Sequence, residues 1–350
     1  MSVQYTSVLW NKQKKAYDIY LWIGIILFIG SYIAFQLFLD SNISEETLII
    51  RSTALCAFTL LHIVLIIGPL ARINTRFLPL LYNRRHLGVS MFLIALIHGV
   101  FSILSYHGFG DTNPLLSLFI SNQKYSEISQ FPFQTLGFFG LIILFIMAVT
   151  SHDFWLKNLS PRVWKTLHMG VYVVYALIFF HVVSGSLQYE SHPLYWVILI
   201  VGFVIISGLH LLAGFKERKS LLADKNLLEK EGYHEVCAVT DIEESRAKTF
   251  FINGENIAVF KYDNKLSAVH NVCKHQMGPL GEGKIIDGCI TCPWHGYQYL
   301  PENGQSPAPF TEKVATFDVK TLDGKVWLNA NPHPEGTTVS PAKLTTANER

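Results

Sequence analysis

Four side chains in the last third of the chain carry the most specific chemical signal. Cys273-Lys274-His275 and Cys292-Pro293-Trp294-His295 form a C-x-H and a C-x-x-H pair, each placed at the tip of a loop. Two thiolates and two imidazoles can hold zinc, but the C-x-H spacing is too tight for a usual zinc finger. The same set suits a [2Fe-2S] cluster in which two imidazoles replace two thiolates on one iron. A second group of candidates lies in apolar surroundings: His62, His98, His168 and His181. Ionisable groups there are costly and tend to be functional. Imidazole is a good axial ligand for haem iron, and a haem held between two helices takes one histidine from each.

The elements that must position these residues divide the 350-residue chain in two. Apolar runs near 20–39, 48–70, 87–106, 133–150, 167–187 and 193–213 are each about the ~20 residues needed to cross a bilayer. The first is long enough to span and no small-residue cleavage site follows it, so it is expected to stay attached. Lys12, Lys14, Lys15, Arg72, Arg76, Arg84, Arg85, Lys157, Arg162, Lys165, Lys216, Arg218 and Lys219 fall on alternate flanks. The other loops carry Asp40, Glu45, Glu46, Asp111, Glu127 and Glu190. The positive-inside rule then places both termini, and the C-terminal domain, in the cytoplasm of a multi-pass inner-membrane protein. At about 1.5 Å per residue, His98 lies somewhat past the midplane, His181 nearer the outer face and His168 near the cytoplasmic side. His98 with His181 is the preferred pair, and a second haem at His168 has only His62 and His86 as nearby partners.

From about residue 231, short strand-like segments such as HEVCAV and ENIAVFKY alternate with Gly, Asn and Asp turns, as in a small antiparallel β domain. Residues 215–230 read as a basic linker. Residues 331–350, rich in Pro, Thr and polar groups, read as a disordered tail. A net charge of +2 gives no argument for nucleic acid, and five cysteines do not suggest a disulfide framework. Cys56, Cys237 and Cys289 are read as structural.

The stretches RRHLGVSMFLIALIHGVFS (84–102) and VWKTLHMGVYVVYALIFFH (163–181) resemble the ferric-reductase-like transmembrane family, which includes the haem subunit of the periplasmic methionine sulfoxide reductase system. Over residues 1–214 the resemblance implies a six-helix bundle with one or two b-type haems, with His98, His168 and His181 matching the family's histidines. No Rossmann Gly-rich turn follows, so the flavin and nicotinamide domains of the oxidase branches are not expected. Residues 231–330 resemble the Rieske family, through the two ligand pairs, Gly278-Pro279-Leu280, Gly296 and the proline-bearing loop Ser306-Pro307-Ala308-Pro309. That resemblance implies that Cys273 and Cys292 hold the buried iron, that His275 and His295 hold the outer one, and that the proline loop covers the cluster. The extra cysteines of the respiratory branch are replaced by Gly278 and Trp294, and its cluster-bonding serine by Tyr297, while its tyrosine is kept as Tyr299. Fewer donors to the sulfurs imply a potential toward the bottom of the roughly −150 to +300 mV Rieske range.

The expected architecture is thus a membrane all-α six-helix bundle followed by a small all-β Rieske domain. The expected function is transmembrane electron transfer from a cytoplasmic reductase or ferredoxin, through cluster and haem, to an extracytoplasmic acceptor or partner protein. A redox sensor, or an accessory subunit of a larger complex, is the alternative. A Rieske oxygenase is disfavoured, because too few residues follow the motif to build its mononuclear iron domain.

Overall fold

The computed structural model describes residues 12–127, 130–159, 161–189, 193–224, 227–294 and 296–344. In chain order the helices are α1 (Lys12–Leu39), α2 (Glu45–Ile73), α3 (Leu78–Leu81), α4 (Arg84–His107), α5 (Pro114–Ile120), α6 (Phe133–Thr150), α7 (Asp153–Asn158), α8 (Pro161–Ser184), α9 (Ser186–Tyr189) and α10 (Pro193–Asp224). Among the described residues α1, α2, α4, α6, α8 and α10 are long and apolar enough to cross a membrane, so the chain is a multi-pass membrane protein. Their hydroxyls return to their own backbone, as a medium without water requires: Thr53 to Ile49 O at 2.6 Å, Thr59 to Leu55 O at 2.8 Å and Thr150 to Ile146 O at 2.7 Å. The closest helix pairing is α6 with α8. Glycine permits it: a Cβ on Gly140 would meet Ile178 at 3.1 Å and one on Gly137 would meet the His181 ring at 2.8 Å.

The chain forms two compact units. One comprises residues 10–68 and 83–209, and the other joins residues 69–82 to the chain from 210 onward. The second unit therefore takes in the connection between the second and third spans. The first part of the expected basic linker, residues 215–224, is helical, because α10 runs on to Asp224. Lys, Glu, Arg, Leu and Ala are strong helix formers, and neither Gly nor Pro interrupts them between 215 and 224.

The β domain contains strands β1 (Glu229–Lys230), β2 (Tyr233–Ala238), β3 (Ala247–Ile252), β4 (Glu255–Tyr262), β5 (Lys265–His270), β6 (Lys284–Ile286), β7 (Cys289–Thr291), β8 (Gln298–Tyr299), β9 (Thr316–Phe317), β10 (Val319–Leu322), β11 (Lys325–Leu328) and β12 (Ala342–Lys343). They form a sheet ordered β1-β2-β11-β10, a second ordered β12-β5-β4-β3 with β9 also on β5, and a third ordered β6-β7-β8. Two-residue turns with both φ angles positive close the hairpins at Asn253-Gly254, Asp263-Asn264, Asp287-Gly288 and Asp323-Gly324. Such turns match the strand twist and favour Asn, Asp and Gly.

Strand β4 is buried on both faces. Its Ile257 and Val259 join one core with Phe250, Leu266, Phe317, Val326 and Leu328. Its Ala258 and Phe260 join a second core with Leu280, Ile290, Tyr299 and both cysteines of the ligand motif. Period-two alternation thus makes β4 the wall between the domain's general core and its ligand loops.

The tail departs from its composition. Residues 331–344 are held in place, while 345–350 lie outside the described residues. His333 N donates to Thr316 O at 2.9 Å, Thr316 Oγ1 to Thr337 O at 2.9 Å, and Val339 N to Glu302 O at 2.8 Å. Ala342 and Lys343 pair with Leu266 and Lys265. The segment satisfies backbone groups at the Lys265–Leu266 end of β5, beyond the stretch that β9 covers, and on β9 and Glu302. Composition scores side chains and does not register such docking. Ending the chain after Ala330 removes these bonds at about 0.5–1.5 kcal/mol each, and should lower the thermal midpoint of the β domain by at least about 4 °C. Thermal unfolding of full-length and truncated chains checks this, and an unchanged midpoint would show the tail to be dispensable.

Candidate redox centres

The two ligand loops follow one backbone plan. In the first, between β5 and β6, Cys273 N donates to Gly278 O at 2.8 Å and Cys273 O accepts from Met277 N at 2.7 Å. In the second, between β7 and β8, Cys292 N donates to Tyr297 O at 2.8 Å and Cys292 O accepts from Gly296 N at 2.9 Å. Met277 and Gly296, at equivalent places, have φ of 58° and 73°. Each loop therefore turns its cysteine inward, and both cysteines are 1% exposed. A Cβ on Gly278 would lie 2.8 Å from Cys292 Sγ and 3.1 Å from the Trp294 ring. Gly278 is thus the space in which the second cysteine sits.

Burial opposes ionisation of Cys273, yet hydrogen bonds from Cys292, Tyr299 and the backbone of His275 and Gln276 hold its thiol below the ordinary value. A thiol so placed is ready to act as a metal ligand. Tyr299 OH and Cys273 Sγ share a hydrogen bond at 3.3 Å, and the hydroxyl accepts from Lys274 N at 3.0 Å. The His275 ring stacks on Tyr297, with centroids 4.9 Å apart and planes 9° from parallel. Tyr297 in turn donates its hydroxyl to the Glu312 carboxylate. Burial, then this bond, raises its pKa. Phe310, from the proline-bearing loop, packs on Tyr297 at 4.7 Å. The fourth expected ligand, His295, lies outside the described residues.

Two observations test whether these residues suit a cluster. Cys273 and Cys292 meet, with Cys292 hydrogen-bonded to the Cys273 thiol. Moreover, the Gln276 amide is 2% exposed and neither of its polar atoms has a hydrogen-bond partner, so it is a donor left for a group the protein binds. The two buried cysteines and the unpartnered Gln276 amide fit a cluster site.

The membrane histidines separate by where they place their protons. A carbonyl can only accept, so a ring nitrogen bonded to one carries the hydrogen. His62 Nδ1 donates to Phe58 O at 2.8 Å, one turn back on its own helix, and its Nε2 meets Tyr175 OH at 3.3 Å. His168 follows the same pattern: Nδ1 donates to Trp164 O at 3.0 Å, Nε2 lies 3.1 Å from Ser151 Oγ, and the ring stacks on Trp164 at 3.8 Å. His86 is paired with Asp18 at 2.8 Å. These rings are engaged at both nitrogens or by a carboxylate.

His98 and His181 differ. Each donates Nδ1–H to another segment, His98 to Ile50 O at 3.0 Å and His181 to Phe133 O at 2.8 Å. Both line one cavity of about 670 Å³, together with Gly99, Gly137, Leu141 and Ile178. Their ring centroids are 6.4 Å apart. Two imidazoles that held one ion at ~2 Å each would stand at about this separation. The cavity is within the usual ~300–1,000 Å³ of cofactor sites. The structure brings together the preferred pair, and it does not bring His168, His62 or His86 to it.

Sequence reasoning missed three contributors. The carbonyls of Ile50 and Phe133 fix both tautomers, but their side chains carry no signal of it. Gly137 was visible as glycine within an apolar helix, where it leaves room for His181. The stacking of Tyr297 on His275 follows only from the loop geometry. One consequence is measurable: replacing Tyr299 with Phe removes a donor to a ligand sulfur and should lower the cluster midpoint potential, with cluster content retained. Potentiometric titration of the paramagnetic signal checks this, and an equal or higher potential would show that the hydroxyl does not act on the cluster.

Comparison with known proteins agrees with both halves. The family model of the Rieske [2Fe-2S] domain matches residues 232–318, and that of the ferric reductase like transmembrane component matches residues 53–179. The anthranilate 1,2-dioxygenase ferredoxin subunit of Burkholderia cepacia is 32% identical over 98 residues, covering 28% of this chain and 91% of that protein. The ferredoxin component of the alkene monooxygenase system of Xanthobacter autotrophicus is 29% identical over 104 residues, 29% of this chain and 85% of that protein. The protein-methionine-sulfoxide reductase heme-binding subunit MsrQ of Herminiimonas arsenicoxydans is 28% identical over 184 residues, 52% of this chain and 79% of that protein. The chain therefore belongs to the Rieske [2Fe-2S] family through its C-terminal domain, joined to a ferric-reductase-like transmembrane component in one electron-transfer oxidoreductase.

Proposed function

We propose that this protein carries electrons from a cytoplasmic donor, a reductase or ferredoxin, across the membrane to an extracytoplasmic acceptor. The path runs through a [2Fe-2S] cluster held by Cys273, His275, Cys292 and His295 and a b-type haem held by His98 and His181. The observation that carries the reading is the 6.4 Å imidazole pair in its cavity. The distribution of Lys and Arg supports a cytoplasmic β domain, and the haem-binding relative supports haem as the occupant.

Bound in these sites, the cluster and the haem supply the one-electron chemistry. The protein's own part is to hold and insulate them. Ile50 O and Phe133 O keep the hydrogen on Nδ1 of each histidine and leave Nε2 as the ligand atom. Apolar side chains such as Leu141, Leu144 and Ile178 line the cavity. Burial of Cys273 and Cys292 fixes one end of the cluster inside the β domain. A single haem is the reading favoured, because His168 spends both ring nitrogens on Trp164 and Ser151.

Replacing His98 or His181 with Ala should lower haem per protein by the same step, and replacing His168 should leave most of it in place. Haem content and the reduced-band spectrum of the three variants check this. Full haem in the His98 variant would overturn the ligand pair, and equal losses for His98 and His168 would point to those two instead.

A further inference from the structure

Tyr297 ends the second ligand loop, just before β8, and is 2% exposed. Its ring joins segments that are far apart in sequence. The His275 imidazole of the first ligand loop lies 4.9 Å from it and 9° from parallel, and Phe310 of the proline-bearing loop lies 4.7 Å away. Its hydroxyl donates to Glu312, at the far end of that proline-bearing loop. Glu312 is itself pinned: its carboxylate also accepts from Thr311 N at 3.1 Å, and its carbonyl accepts from Ser306 N at 2.9 Å. Residues 306–312 are thus closed on themselves, and Phe310 N adds a turn bond to Pro307 O at 3.0 Å. A buried tyrosine hydroxyl takes a partner wherever one is within reach, and many would serve. Here the partner is a carboxylate, which makes a stronger bond than a neutral acceptor, and it belongs to the loop whose Phe310 already packs on the same ring.

We propose that Tyr297 is a positioning residue for the cluster: its ring fixes the plane of the His275 imidazole, and its hydroxyl, through Glu312, locks the proline-bearing loop onto that ring. The two tasks fall to different atoms of one side chain, so substitution can separate them. The plane of a ligand imidazole governs its overlap with the metal, and a neighbour that holds the plane shapes the electronic signature of the site. A stacked ring does this without using either imidazole nitrogen, which is what a ligand histidine requires. The hydroxyl is drawn away to Glu312, so the part of Tyr297 that meets His275 is its flat apolar face. This inference rests on His275 as a cluster ligand, as proposed above, and adds to it the residue that orients that ligand.

The test joins two measurements on the full-length protein. Hydrogen exchange at the amides of Ser306, Phe310 and Thr311 reads the loop, and the paramagnetic signal of the reduced cluster reads the ligand geometry. Tyr297→Phe, which keeps the ring and drops the hydroxyl, should exchange at least about tenfold faster at these amides, the effect of losing a hydrogen bond to a charged group, with the g-values of the wild type. Tyr297→Leu should show the faster exchange together with shifted g-values at unchanged cluster content. Glu312→Ala should loosen the loop as well, and adding Tyr297→Phe to it should quicken exchange no further, because both changes remove the same bond. Wild-type g-values in cluster-loaded Tyr297→Leu, or wild-type exchange in Tyr297→Phe, would overturn the proposal. If Tyr297→Leu loses the cluster, Tyr297→Met carries the signal measurement with the same two outcomes. A wild-type protein without a Rieske signal would instead refute the cluster reading, and the exchange measurement would still decide whether Tyr297 holds the loop.

Discussion

Two hydrogen bonds from ring nitrogens to backbone carbonyls govern what the membrane half of this molecule can do. In the bundle a histidine must place its N–H somewhere, and the cheapest acceptor is the carbonyl one turn back on the same helix. His62 and His168 take that solution, and their remaining nitrogens are then met by Tyr175 and Ser151. His98 and His181 reach instead to Ile50 O and Phe133 O. The rings are thereby held across the bundle, and no hydrogen bond from the described residues occupies either Nε2. The glycine at 137 and the close approach of α6 to α8 serve the same end, because a larger residue would push the His181 ring away.

The β domain meets a comparable constraint with different means. Its ligands must sit on loops, because four donors from a single hairpin cannot surround two irons. Loops are stiff only when their backbone bonds are closed. Here the same pair of bonds around Cys273 and Cys292, the tyrosine bridge from Tyr299 to Lys274 N and the second core under β4 supply that stiffness. Tyr297 stands where a smaller hydroxyl-bearing residue would reach the cluster in the respiratory branch. Its hydroxyl is drawn off to Glu312 and its ring is given to His275.

Much of this could be read from the sequence. Apolar length gave the six spans, the Asn, Asp and Gly doublets gave the hairpins, and the paired Cys and His spacings gave the cluster site. The His98–His181 pair was chosen from depth and resemblance, and the two ring centroids lie 6.4 Å apart. What stayed hidden was carried by backbone or by context. The tail reads as polar and loose, but it docks through main-chain bonds to the start of β5, to Thr316 and to Glu302. The linker reads as a boundary, but its helix-forming residues simply extend α10. His168 looks as good a ligand as His181 by type and spacing, and only the positions of Trp164 and Ser151 distinguish them.

The central claim is that electrons entering at the cluster leave on the far side of the membrane by way of the His98–His181 site. The most direct measurement encloses ferricyanide in proteoliposomes containing the purified protein and supplies a reduced ferredoxin outside. The account predicts reduction of the enclosed ferricyanide by wild-type protein, and none above the empty-vesicle background when His275 or His98 is replaced by Ala. Equal reduction by the His98 variant, or wild-type protein whose cluster and haem both become reduced while the enclosed ferricyanide stays oxidised, would contradict it.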